Sequence, residues 1–70
     1  MKVRISIIQN NLKIEMIDQT DKKMPEYIKD FKSLFDTTEK IKAIETINEN
    51  KHDVLILRPG SIDSIKIEEI

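Results

Sequence analysis

His52 and Asp53 stand side by side in this 70-residue chain, and an adjacent carboxylate can orient an imidazole for proton transfer. No second histidine accompanies them. Ser61 and Ser64 lack the glycine-flanked turn that presents a nucleophilic serine. His52-Asp53 therefore reads as a polar junction before the apolar run at residues 54–57. Glu68 and Glu69 are neighbours, so on an extended chain they point to opposite sides and cannot share a proton. Glu45 and Glu49 would share a face if their segment were helical, but lysines flank them and they read as solvated. With no cysteine, disulfides and thiolate metal sites are excluded. A single glycine excludes phosphate-binding loops, the dinucleotide fingerprint and the EF-hand turn. These residues predict no enzyme, no cofactor and no metal.

Cations are the next candidates. Lys2, Arg4 and Lys13 lie near the start, and Lys29 and Lys32 in the middle. Together they offer a nucleic-acid reading, in which lysine-bearing helices and the first hairpin contact phosphate. Against it stand a formal net charge of −1 and the interleaving of Glu26, Asp30, Asp36 and Glu39 with the lysines.

Such residues need elements to position them. Val3, Ile5 and Ile7 alternate with polar neighbours, as do Leu12, Ile14 and Met16. Asn10-Asn11 between them suits a two-residue type I′ turn. That hairpin pairs Ile7 with Ile14 and Ile5 with Met16, and it places all six apolar residues on one face. Ile8 and Ile17 fall on the other. Thr20 or Asp21 is expected to cap a helix with Pro25 in its first turn. Met24, Tyr27, Ile28, Phe31, Leu34 and Phe35 form its apolar stripe. A second stripe, Ile41, Ile44 and Ile47, is about 150° away if the helix continues, from the helical period. The spacing therefore predicts a break at Asp36-Thr37-Thr38 and a second helix capped by Asp36, with Glu39 completing a capping box. Val54-Leu55-Ile56-Leu57 is apolar on both faces and predicts a strand covered on both sides. Pro59-Gly60 is a type II turn signature, and a last, edge-like strand follows at residues 62–70.

The order β-β-α-α-β-β over residues 1–70 predicts one small α+β domain: a four-stranded, mostly antiparallel sheet with two helices, or one broken helix, on one face. A core this small supplies only about 3–5 kcal/mol, so a partner chain is an expected support. Fourteen isoleucines and a single alanine, Ala43, fit that expectation. The sheet face away from the helices keeps Ile8, Ile17, Leu55 and Leu57 as a possible oligomer interface, with a dimer as the simplest form. Arg58, on the last loop, is a possible partner contact. The expected function is a small, non-enzymatic protein-interaction module (an adaptor, regulator or inhibitor) that self-associates through its sheet. No apolar run approaches a membrane span, and "MKVRISII" is too interrupted for a secretory leader, so a cytoplasmic protein is expected.

Overall fold

The computed structural model describes residues 1–36 and 38–70. Five strands, one α-helix and one 3-10 turn follow in the order β1 (Lys2–Gln9), β2 (Leu12–Gln19), α1 (Met24–Phe35), β3 (Lys42–Asn48), β4 (Lys51–Leu57), the turn at Pro59–Ser61, and β5 (Ile62–Glu69). The strands form two antiparallel sheets, β2-β1-β5 and β3-β4. The fold is α+β, but it has five strands and one helix where the sequence predicts four strands and two helices.

The first hairpin follows directly from its alternation. Ile7 pairs with Ile14 and Ile5 with Met16. Asn10 and Asn11 both adopt positive φ (52° and 66°), as a type I′ turn requires. The inward face carries Val3, Ile5 and Ile7, all fully buried, together with Met16. Leu12, beside the turn, is 70% exposed. Ile65 and Ile67 of β5 sit opposite Ile7 and Ile5 and extend the same face.

Helix α1 closes this face. Tyr27 and Phe31 are buried in the core, with Met24 and Phe35 packed at its margin. Neither Thr20 nor Asp21 caps the helix. Lys23 occupies the N-cap without a side-chain bond, and the Thr20 hydroxyl instead accepts the Lys22 N–H at 3.1 Å. Asp36 ends α1 rather than starting another helix. Thr37, the centre of the predicted break, lies outside the described residues.

No second helix forms among the described residues; residues 42–57 make the β3–β4 hairpin. Ile41, Ile44 and Ile47 satisfy a three-residue spacing but lie on both sides of an extended chain. Ile44 points inward and is buried, while Ile41 and Ile47 are 56% and 54% exposed. The strand's other buried residue is polar, Thr46, so strand alternation is invisible in its hydropathy. Leu57 joins the core and Leu55 packs against it, but Val54 and Ile56 face outward. The apolar run at residues 54–57 is therefore covered on one side only.

The predicted turn at Pro59-Gly60 differs in detail. Gly60 does not adopt positive φ, so Pro59-Gly60 is not a type II turn; Ser61 N–H closes a 3-10 turn on the Arg58 carbonyl at 3.0 Å. The left-handed residue is instead Glu49 (φ 59°), in the β3–β4 loop. A non-glycine residue there costs about 1–2 kcal/mol. Glu49→Gly should raise stability by roughly 0.5–1 kcal/mol, after the greater unfolded-state freedom of glycine is deducted. A melting temperature higher by several degrees would show it; an unchanged or lower one would mean that the Lys2–Glu49 ion pair, 3.7 Å long and largely exposed, outweighs the backbone cost.

Candidate interaction surfaces

The two sheets meet through side chains rather than a shared ladder. Asp18 Oδ2 accepts the Tyr27 hydroxyl at 2.7 Å, and Asp18 Oδ1 accepts the Ile47 N–H at 2.9 Å. Gln19 Oε1 accepts the Glu49 N–H. One carboxylate thus ties β2, α1 and β3 together. Burial, followed by the neighbouring Asp18 carboxylate, pushes the Tyr27 hydroxyl well above its ordinary pKa and holds the proton in this bond.

Hairpin geometry fixes which strand edges are exposed. A two-residue loop is flanked by a hydrogen-bonded pair, and bonded and non-bonded pairs then alternate. In β3–β4 the pair next to the loop is Asn48 with Lys51. Lys51, Asp53, Leu55 and Leu57 therefore bond to β3, while His52, Val54 and Ile56 direct their N–H and C=O groups away. The N–H groups of Ile47 and Glu49 point away from β4 by the same rule, and they are the two that Asp18 and Gln19 accept. The outward face of this hairpin carries Ile41, Ala43, Glu45 and Ile47 from one side and His52, Val54 and Ile56 from the other. Val54 is 52% and Ile56 70% exposed. Two exposed apolar side chains, Val54 and Ile56, lie on the same unpaired edge of β4, with His52 beside Glu45 at its start.

The predicted interface residues are distributed differently. Leu57 is buried, and Leu55 is half-buried on the inward side. Ile8 and Ile17 do share the outward face of β2-β1-β5, but Ile8 sits beside Lys13 and Ser64, and Ile17 beside Arg4. Arg4–Glu68 (3.2 Å) and Lys13–Glu15 (3.0 Å) cross that face. The two isoleucines lie at opposite ends of a charged surface and form no continuous apolar patch. Arg58 is exposed at the start of the 3-10 turn.

The cations do not gather either. Lys2, Arg4 and Lys13 lie on the first hairpin and each pairs with a carboxylate, while Lys29 and Lys32 ride on the helix that covers the other sheet face. A phosphate-tracking stripe would need both groups on one side. Among the described residues, no group of three or more histidine or acidic residues is placed to hold a metal ion. No helix among them is long and apolar enough to cross a membrane.

One concave surface has no signature in the sequence pattern. A groove of about 910 Å³ runs between α1 and the inward side of β5. Ile28, Phe31 and Phe35 form one wall and Ile65 and Ile67 the other, with Lys29 and Lys32 on the helical side. No single segment carries these residues; only the antiparallel pairing of β5 with β1 brings them under the helix.

No protein-family model matches this chain, and no curated protein and no solved structure matches it.

Proposed function

We propose that this protein is a non-enzymatic protein-interaction module that self-associates through the edge of β4. One observation carries the reading: His52, Val54 and Ile56 expose unpaired backbone groups and outward side chains together. An exposed strand edge is an association site unless it is blunted by a bulge, a proline or an unpaired inward charge; residues 52–56 contain no bulge and no proline, and their one inward charge, Asp53, is paired with Lys51 at 3.9 Å. Antiparallel pairing about a two-fold axis sets Val54 of one copy against Val54 of the other. His52 then faces Ile56 at both ends. In that register all six N–H and C=O groups find partners, and the two hairpins become one four-stranded sheet.

The test uses a substitution that spares the monomer. The Val54 N–H faces away from β3, so Val54→Pro removes an edge donor without touching the β3–β4 ladder. Light scattering should give about twice the monomer mass for the wild-type chain and 8.2 kDa for Val54→Pro. Ile56→Lys should weaken association at least tenfold by charging the same edge. A wild-type chain that remains at 8.2 kDa at millimolar concentration, or a Val54→Pro dimer as tight as wild type, would overturn the proposal.

A further inference from the structure

We infer that the groove between α1 and β5 takes an extended segment of another protein, apolar along its inward side and acidic in net charge, as a strand added to β5. The backbone argument comes from register. Gln9 and Leu12 flank the first two-residue loop as a bonded pair. Lys2, Arg4, Ser6 and Ile8 therefore direct their backbone groups to β5, where they meet Ile70, Glu68, Lys66 and Ser64. The Ile70 N–H donates to the Lys2 carbonyl at 3.1 Å, in keeping with that assignment. Ile65, Ile67 and Glu69 are left with N–H and C=O groups on the outer edge of the sheet. Ile65 and Ile67 also point their side chains into the groove. Strand addition uses such an edge for affinity and the adjoining apolar wall for side-chain selection.

Length and charge define the occupant. The 12-residue helix is about 18 Å long, which matches about five residues of extended chain. A residue bonded to Ile65 or Ile67 sits directly opposite it and shares its face, so the bonded residues of the incoming strand are those that enter the apolar groove. Lys29 and Lys32 stand on the helical wall, and neither ammonium has a carboxylate at ion-pair distance among the described residues. Other lysines of the chain do: Lys22 pairs with Asp30, and Lys42 with Glu39 at 3.0 Å. Two unpaired cations, one helical turn apart midway along α1, against one anion in the lining, Asp36, favour net negative charge on the segment.

The probe is a capped, labelled nine-residue peptide: three valines alternating with two threonines, flanked by two glutamates at each end. Fluorescence anisotropy should show saturable binding, and amide shifts should appear at Ile28, Phe35, Ile65 and Ile67. N-methylation of the valines should abolish binding, whereas N-methylation of the threonines should be tolerated. The double variant Lys29→Glu/Lys32→Glu should lose at least tenfold in affinity for this peptide at low salt and gain for a lysine-flanked version. Val54→Pro should bind as wild type does, which keeps this edge distinct from that of β4. The inference is overturned by indifference to valine N-methylation, which would indicate an apolar pocket only. Shifts confined to β4, or an unchanged charge preference in the double variant, would overturn it equally.

Discussion

Asp18→Ala should leave much of the protein unfolded at room temperature. A hydrogen bond to a charged group contributes roughly 1.5–3 kcal/mol, and Asp18 accepts two. The variant would remove the part-buried partner of the Tyr27 hydroxyl and release the Ile47 N–H that aligns β3 with β2. Non-additivity between groups sharing one carboxylate lowers the expected sum to about 3 kcal/mol. Against a total stability of about 3–5 kcal/mol for a core of this size, that removes most of it. Urea denaturation should place the midpoint near zero denaturant. Asp18→Asn keeps an oxygen for the Ile47 N–H and should cost about half as much. A double-mutant cycle with Tyr27→Phe isolates the helix contact, and a coupling of at least ~1 kcal/mol is expected. Zero coupling would mean that α1 is held by packing of Tyr27 and Phe31 alone.

The role of Asp18 was hidden in the sequence, where it closes an alternating strand and looks like a polar boundary. By contrast, the hairpin around Asn10-Asn11 was legible to the register, because six inward positions are apolar and both loop residues tolerate positive φ. The stripe of α1 was legible for the same reason: its apolar residues share one face, with Tyr27 and Phe31 buried and Leu34 exposed at its edge. Residues 41–51 failed on both counts, whereas Val54–Leu57 was legible as a strand. Ile44 is followed inward by Thr46 and half-buried Asn48, while Ile41 and Ile47 point outward, so hydropathy in β3 tracks neither face. Its loop turns on a left-handed glutamate, which carries no turn signal in sequence. The candidate surfaces were legible only as far as strand identity. That β4 has an exposed edge follows from sheet order, and that β5 roofs a groove follows from its pairing with β1; both are long-range facts.

Thr46→Val should stabilise this fold. Thr46 is 1% exposed, and its hydroxyl oxygen has no hydrogen-bond partner among the described residues. Burying a hydroxyl without a partner costs roughly 1–3 kcal/mol in mutational terms. Valine has nearly the same shape and fits the extended backbone at least as well. Thr46→Val should therefore stabilise the protein by about 1–2 kcal/mol, since the unpaired group is removed rather than abandoned. Thr46→Ser retains the hydroxyl and loses the methyl, so it should destabilise by about 1 kcal/mol. The opposite signs of the two variants separate polarity from packing. If Thr46→Val unfolds at lower denaturant than wild type, the hydroxyl is engaged and the inward face of β3 is polar for a structural reason. If it unfolds at higher denaturant, the polar residues that concealed β3 in the sequence are also where its stability is weakest.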